Sequence, residues 1–256
     1  MAYQFIKRFS FSLLAILFLN VLATGQQREE LLVAKVYRGS QGRTMPYRLY
    51  IPLNYDKEKK YPLVLYLHGG GGRGDDNRKQ IEGGNAYIVD LLVSRSTQTK
   101  NPSIVVVPQA PDEGWIGPDT ITPTRYLSLV LHLIRDLDNS YSIDANRRYV
   151  LGQSMGGLGT FAILTMQPNM FAAAVPVCGG GDESRAAGIA HIPIWAFHGE
   201  LDQAVPVERS RNMIAALTKA GGKPKYSEYK GEGHAIWTRV VREPELLPWM
   251  FNQKRP

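Results

Sequence analysis

The sequence predicts an α/β fold in which helices cover both faces of a mostly parallel central sheet. Two observations carry this prediction. Apolar runs such as YPLVLYLH (61–68) and PSIVVVPQ (102–109) are uninterrupted, as in strands that are buried on both faces. These runs alternate with segments of helical periodicity, which is the order of elements in a parallel sheet. The hydrophobic content of 44% and the charged content of 21% are those of an ordinary globular protein.

The N-terminal segment is expected to be a signal peptide rather than part of this fold. Lys7 and Arg8 precede an apolar stretch of 13 residues, 11–23, and small residues follow as far as Gly25. A membrane span needs roughly 20 apolar residues, so cleavage near Gly25 is favoured over an uncleaved anchor. We expect residues 1–25 to be removed, and residues 26–256 to form one domain, secreted or periplasmic, without an integral membrane segment.

Charge and cysteine content exclude two classes of protein. Removal of Lys7 and Arg8, with no acidic residue, lowers the net charge from +7 to +5. The remaining basic residues form no stripe interleaved with aromatic side chains, so nucleic acid is not an expected partner. Cys178 is the only cysteine, which excludes an intrachain disulfide even in an exported protein.

Two strands, 31–37 and 45–52, flank a Gly/Ser-rich turn with no helix between them, which predicts an antiparallel pair. The two apolar runs above are the next strands, and a helix is expected to begin after them, capped by Thr122 with Pro123 in its first position. The remaining strands are predicted at 147–152, 171–178, 192–198 and 224–230, and the remaining helices from 155, from 206 and, in broken form, after His234.

A glycine-rich loop follows the third predicted strand. Gly69, Gly71 and Gly74 satisfy G-x-G-x-x-G, the dinucleotide fingerprint. That fingerprint belongs after the first strand of a βαβ unit, and the candidate ribose-binding acid, Asp90, falls within a predicted helix. The loop therefore does not predict a dinucleotide cofactor.

The sharpest motif is G-x-S-x-G, formed by Gly152, Ser154 and Gly156 between a predicted strand and a helix rich in small residues. In this context the serine occupies a tight turn at the carboxyl edge of the sheet, where only glycines let the neighbouring backbone pass. The helix N-terminus that follows stabilises developing negative charge. Ser154 is therefore the candidate nucleophile.

A nucleophilic serine needs a base, and the base needs an acid that orients it. His234, in a glycine-rich loop after the last predicted strand, is the candidate base. Asp202, in the loop after the preceding strand, is the candidate acid. Glu200 in the same loop and Asp182 after the strand before it are the alternatives.

Acyl transfer also needs backbone N–H groups that bind an oxyanion. The residue after the nucleophile, Met155, supplies one of them. The other is expected from the loop HGGGG (68–72), where Gly70 is the first choice and Gly71 the alternative. Glycine suits this position because the backbone must approach the substrate closely.

The segments LHGGGGRGDDN, GQSMGGLGTF, IWAFHGELDQAVPVERSRNM and GEGHAIW resemble a family of secreted α/β-hydrolases. Its members are labelled phospholipase/carboxylesterase or prolyl-oligopeptidase-like "predicted peptidase". They are similar to dienelactone hydrolases, polyhydroxybutyrate depolymerases and feruloyl or acetylxylan esterases. The resemblance implies the α/β-hydrolase fold, the triad Ser154, Asp202 and His234, and no metal or organic cofactor. The family often has a glutamate where Gly72 stands and a polar residue where Ala235 stands.

The function expected from these features is that of a serine carboxylic-ester hydrolase. No segment is long enough for a large lid domain, so the site should be open to small soluble esters or to ester substituents of extracellular polymers. Trp115 and Trp237 are expected to line it, or else to pack in the core. A serine peptidase of prolyl-oligopeptidase type is the alternative, and a non-catalytic binding protein is a third class. The oligomeric state stays open.

Overall fold

The computed structural model describes residues 28–39 and 42–255. The expected signal peptide, residues 1–25, lies outside these described residues. Within them, no helix combines the length and the apolar character that crossing a bilayer requires.

Eight strands form one sheet in the order β1-β2-β4-β3-β5-β6-β7-β8. The pairs β1–β2 and β2–β4 are antiparallel, and every other neighbouring pair is parallel, which confirms the mostly parallel sheet and the antiparallel first pair. The strands are β1 Val33–Arg38, β2 Thr44–Tyr50, β3 Tyr61–Leu67, β4 Ile104–Pro108, β5 Ile143–Gln153, β6 Ala173–Val177, β7 Trp195–Gly199 and β8 Lys225–Tyr229.

Helices connect the strands and follow the last one. The α-helices are α1 Ala86–Val93, α2 Arg95–Lys100, α3 Arg125–Ser140, α4 Met155–Met166, α5 Ala186–Ile189, α6 Glu208–Lys219, α7 Trp237–Val240 and α8 Leu246–Phe251. Short 3-10 turns lie at Gly70–Gly72, Lys79–Ile81, Gly83–Asn85 and Glu183–Arg185. No lid domain is inserted between these elements in the part of the chain that the structure describes.

The side chains of β3 alternate between two cores, one on each face of the sheet. Leu63 and Leu65 pack with apolar residues of α3, α4 and α6. Val64 and Tyr66 pack with residues of α1, α7 and α8 on the opposite face. Every residue of β3 is buried, which explains its uninterrupted apolar sequence. The predicted α/β-hydrolase architecture, with helices on both faces, is thereby confirmed.

Two predicted helix starts were each two residues early, and the helix predicted from Pro206 begins at Glu208. The helix predicted from Pro123 begins at Arg125, and the hydroxyl of Thr124 accepts from the N–H of Tyr126 as its cap. Pro123 instead pairs with Ile116 in an isolated β-bridge. The hydroxyl of Thr122 is engaged by Asp119, 2.5 Å away, so it does not cap the helix.

Candidate active site

Ser154 occupies the turn between β5 and α4, at the carboxyl edge of the sheet. Its backbone has φ 56° and ψ −120°, a strained conformation for a residue with a side chain. Glycines make this turn possible, because a Cβ on Gly156 would lie 1.9 Å from the Leu67 carbonyl oxygen. A Cβ on Gly152 would lie 2.1 Å from the carbonyl oxygen of Gly156. Close packing of α4 on the sheet therefore positions the serine.

Three residues from three different loops form one hydrogen-bonded chain. Ser154 Oγ lies 2.8 Å from His234 Nε2. His234 Nδ1 lies 2.6 Å from Asp202 Oδ2. Because a carboxylate only accepts, the His234 proton is on Nδ1, which leaves Nε2 free to accept the serine proton. This is the geometry that nucleophilic catalysis by serine requires.

The side chain of Asp202 is fully buried, and its carboxylate is held from both sides. Oδ1 accepts from the backbone N–H groups of Ala204 and Val205, both at 2.9 Å. Burial alone would raise the pKa of Asp202, but the hydrogen bonds from His234 and from these amides outweigh it, and the pKa lies below its usual value. The carboxylate therefore stays ionised beside His234.

The two alternative acids have other partners. Glu200 Oε2 accepts from the N–H of Gly231 at 2.9 Å. Asp182 Oδ1 accepts from the N–H of Ser184 at 3.0 Å and caps a short turn. Of the three candidate acids, Asp202 is the one that the structure places against His234.

A cavity of about 660 Å³ opens beside Ser154. Gly70 and Met155 line it, whereas Gly71 does not. Met155 is the first residue of α4, so its N–H has no partner within the helix. This arrangement favours Gly70 over Gly71 as the second oxyanion donor. The other residues that line the cavity are Arg73, Asp112, Glu113, Ile116, Gly117, Pro118, Thr120, Thr124, Leu158, Ala204 and Val205.

The loop that carries Gly70 is held by a buried histidine, His68, whose role was not predicted from the sequence. His68 Nε2 accepts from the N–H of Ala110 at 3.0 Å, so its Nδ1 carries the proton and donates to the Gly69 carbonyl at 2.7 Å. Gly72 packs on the His68 ring, where a Cβ would come within 2.6 Å of two ring atoms. With the His68 ring in this position, residue 72 has no room for a side chain.

Gln109 connects the same loop to the segment that follows it. Its Nε2 donates to the Gly72 carbonyl at 3.1 Å and to Asp76 Oδ1 at 2.9 Å. Its Oε1 accepts from the N–H of Asn77 at 2.6 Å. Gln109 is fully buried, so these bonds hold the glycine loop in one place. A glutamine at a strand end gave no sequence signal for this role.

His68 makes the stability of the loop pH-dependent. Burial lowers the pKa of His68 to about 4, from an ordinary value near 6.5. Between these values the unfolded chain binds more protons than the folded chain. Stability is therefore fully present above pH 6.5 and is lost as the pH falls towards 4, by up to about 3 kcal/mol from this group. Urea unfolding at several pH values measures how the free energy of unfolding changes with pH. We expect this change to be smaller in His68→Gln.

The matched control is His132→Gln, because His132 is exposed on α3. The free energy of unfolding of this variant should change with pH as it does in the parent protein. A His68→Gln variant that keeps the parent's change in this free energy between pH 4 and 6.5 would contradict a buried neutral His68.

One predicted substrate contact is wrong, and the other lies beside the base. Trp115 is fully buried, and its indole N–H donates to the His68 carbonyl at 3.0 Å. With no surface exposed, it contacts no substrate and packs in the core instead. Trp237 is half-buried and meets the His234 ring edge-on, with centroids 5.3 Å apart. It does not line the cavity beside Ser154.

Cys178, Asp202 and His234 form a cluster that has the composition of a metal site. Their ligating atoms lie within 4.8 Å of one another. The Cys178 thiol donates to the His234 carbonyl at 3.3 Å, and burial raises the pKa of this thiol. A protonated thiol is a poor metal ligand, and Asp202 and His234 already bind each other. The cluster therefore fits the hydrogen-bonded chain better than a metal ion.

Residues 39–186 match the model of the family named Esterase. The match covers more than half of the chain and includes Ser154 and the glycine loop. This chain belongs to that esterase family. Asp202 and His234 lie beyond the matched range, so their assignment depends on the geometry described above.

Individual proteins are similar over longer ranges than the family model. "Probable feruloyl esterase C" of Aspergillus terreus is 26% identical over 179 residues, which are 69% of this chain and 62% of that protein. "Bifunctional acetylxylan esterase/xylanase XynS20E" of Neocallimastix patriciarum is 28% identical over 211 residues, 79% of this chain and 29% of that protein. The esterase chain thus spans about three fifths of the feruloyl esterase relative.

Among solved structures, that of a thermostable esterase superimposes with a TM-score of 0.84 at 37% identity. The superposition covers 88% of this chain and 64% of that one. The fold of this esterase-family chain is therefore shared with a solved esterase over nearly its whole length.

Proposed function

We propose that this protein is a serine carboxylic-ester hydrolase that works through an acyl-enzyme on Ser154. The observation that carries the proposal is the continuous chain from Ser154 through His234 to Asp202, with distances of 2.8 and 2.6 Å, beside an open cavity. Membership of the esterase family supports the same reaction. Residues 26–256 would form the single catalytic domain, exported by a signal peptide at 1–25.

In the first step, Ser154 Oγ attacks the ester carbonyl while its proton moves to His234 Nε2. Asp202 stabilises the imidazolium that forms. The oxyanion lies at the N–H groups of Met155 and Gly70, where the N-terminus of α4 adds a favourable dipole. When the tetrahedral intermediate collapses, the C–O bond to the alcohol breaks and His234 returns its proton to the leaving alkoxide.

In the second step, water attacks the acyl-enzyme and gives a proton to His234. The second tetrahedral intermediate uses the same two N–H groups. Its collapse breaks the bond to Ser154 Oγ, which recovers the proton from His234, and the carboxylic acid leaves. This chemistry is complete with the residues of the chain itself.

The proposed substrates are small soluble esters or ester substituents of extracellular polymers, of the acetyl or feruloyl polysaccharide type. A cavity of about 660 Å³ is large enough for an acyl group with an aromatic ring. Ile116, Leu158 and Val205 give it apolar walls, and polar residues such as Arg73 lie among its lining. The names of the relatives, a feruloyl esterase and an acetylxylan esterase, support this substrate class.

A serine peptidase of prolyl-oligopeptidase type is the alternative, because the same triad cleaves amides. Within residues 28–39 and 42–255 no additional domain covers the site, so nothing there would restrict peptide substrates to short ones. The names of the relatives favour esters. Hydrolysis of p-nitrophenyl acetate, methyl ferulate and acetylated xylan is compared with hydrolysis of peptidyl p-nitroanilides. We expect ester hydrolysis, whereas cleavage of the anilides alone would establish the peptidase.

Labelling with a fluorophosphonate tests the nucleophile independently. The labelled protein is digested, and the adduct is located by mass spectrometry. We expect one adduct per chain, on the peptide that contains Ser154. An adduct on another serine, or no adduct in protein that is folded by circular dichroism, would contradict the proposed mechanism.

Leu158 tests the use of the cavity. This residue lies in the first turns of α4 and lines the cavity. Leu158→Trp should lower kcat/KM for methyl ferulate by roughly tenfold, because the indole fills space that the acyl group needs, and should change the rate on p-nitrophenyl acetate much less. Leu53→Trp is the control, since Leu53 is 83% exposed. Equal losses on both esters would contradict this use of the cavity.

A further inference from the structure

His198 is a fully buried histidine four residues before Asp202. It lies in β7, next to Gly199, whose added Cβ would be 2.1 Å from the Gly233 carbonyl oxygen. The end of β7 therefore packs directly against the loop that carries His234. A buried imidazole at this position needs hydrogen-bond partners for both ring nitrogens.

The partners of Nε2 fix its proton. His198 Nε2 lies 2.9 Å from the Val205 carbonyl and 3.1 Å from Asp202 Oδ2. A carbonyl and an ionised carboxylate only accept hydrogen bonds, so Nε2 must be the donor. The N–H of Val205 in turn donates to Asp202 Oδ1. One backbone residue thus binds both the imidazole and the carboxylate.

The partner of Nδ1 holds the ring in this orientation. His198 Nδ1 lies 2.7 Å from Ser210 Oγ, a buried hydroxyl of α6 that is also 2.8 Å from the Gly179 carbonyl. Burial lowers the pKa of His198, which favours the neutral ring. In the neutral ring the proton is on Nε2, and the one hydroxyl proton of Ser210 serves either Nδ1 or the Gly179 carbonyl.

We propose that His198 is a positioning residue for ester hydrolysis, which holds and polarises Asp202 through its Nε2–H, bound to the Val205 carbonyl and 3.1 Å from the carboxylate oxygen that binds His234. The proposal rests on the proposed function. Oδ2 then faces two imidazole N–H groups, His234 Nδ1, which is hydrogen-bonded to it at 2.6 Å, and His198 Nε2, which lies 3.1 Å away. Together with the two amides on Oδ1, they fix the plane of the carboxylate and therefore the direction of the His234 ring.

The second N–H also affects the charge at the base. The positive end of the N–H dipole lies beside Asp202 and offsets part of the carboxylate charge. Asp202 therefore stabilises a protonated His234 less than it would without this N–H. Two other ionisable groups face this cluster. The Cys178 thiol is kept protonated by burial, and Glu228 of β8 is paired with Arg211 at 2.6 Å. Neither group changes charge near neutral pH. Removal of the His198 N–H should therefore move the acid limb of the pH–rate profile to higher pH, because Asp202 then stabilises the protonated base more strongly.

The test compares His198→Leu with His198→Gln, whose side-chain amide nitrogen can replace Nε2–H. For His198→Leu we expect kcat on p-nitrophenyl acetate to fall by about tenfold or more, with KM little changed. The acid limb of kcat/KM should move to higher pH by about half a unit. His198→Gln should recover most of kcat and the parent acid limb. Equal losses in both variants, or an acid limb that does not move in His198→Leu, would overturn the proposal.

A measurement on the unaltered protein covers the case in which the variants do not fold. Long-range ¹H–¹⁵N spectra of the histidine rings should show His198 neutral with its proton on Nε2. A neutral ring with its proton on Nδ1 would overturn the proposal whatever the variants do. Failure of the proposed function looks different, because the parent protein would then neither hydrolyse esters nor react with the fluorophosphonate.

Discussion

Ser154→Ala should abolish ester hydrolysis, with kcat lower by roughly 10⁴- to 10⁶-fold. The reason is geometric, since the hydroxyl removed is the one that lies 2.8 Å from His234 Nε2. Alanine meets the same backbone strain at φ 56°, so the fold should persist. Initial rates on p-nitrophenyl acetate and fluorophosphonate labelling measure the loss. Labelling that persists in the alanine variant would exclude Ser154 as the nucleophile.

Ser154→Gly separates the strain from the chemistry. It should be as inactive as the alanine variant, because the hydroxyl is absent in both. Glycine adopts positive φ without a Cβ penalty, and a strained residue of this kind costs about 1–3 kcal/mol. The melting temperature of the glycine variant should therefore exceed that of the alanine variant by at least about 2 °C. Equal melting temperatures would show that the turn carries no strain.

The central sheet was predictable from the sequence because burial on both faces requires strands that are apolar throughout. The run at Tyr61–Leu67 is apolar throughout, and all seven residues are buried. The turn at Ser154 was predictable for a similar reason, since a Cβ on Gly152 or Gly156 would lie only 2.1 or 1.9 Å from a backbone oxygen. In both cases the local environment restricts the residue type, through burial in the strand and through close backbone packing in the turn.

Features that depend on distant contacts were not predictable. Trp115 could equally have lined the cavity or packed in the core, and its bond to the His68 carbonyl, 47 residues away in sequence, decides for the core. The start of α3 moved to Arg125 because Pro123 pairs with Ile116. The contact between His198 and Asp202 depends on how the loop after β7 folds back, and no periodic pattern in the sequence predicts that conformation.

Asp202→Asn should lower kcat by roughly 10⁴-fold while leaving the fold intact. The amides of Ala204 and Val205 donate to Oδ1, so the asparagine will keep its oxygen there and place its NH₂ at the position of Oδ2. That NH₂ donates, so His234 Nδ1 must accept and its proton must shift to Nε2, which faces Ser154. The base then cannot take the serine proton. Rates on p-nitrophenyl acetate and thermal unfolding measure the two halves of the prediction.

Glu200→Gln is the matched control, because Glu200 lies in the same loop and undergoes the same chemical change. Its carboxylate accepts from the N–H of Gly231 at the surface, a bond that a glutamine oxygen can keep, so activity should stay within about twofold of the parent. A large loss in Glu200→Gln with little loss in Asp202→Asn would transfer the role of the acid to Glu200. Similar losses in both would mean that the loop acts through its shape, because the charge of Asp202 would then have no distinct effect on His234.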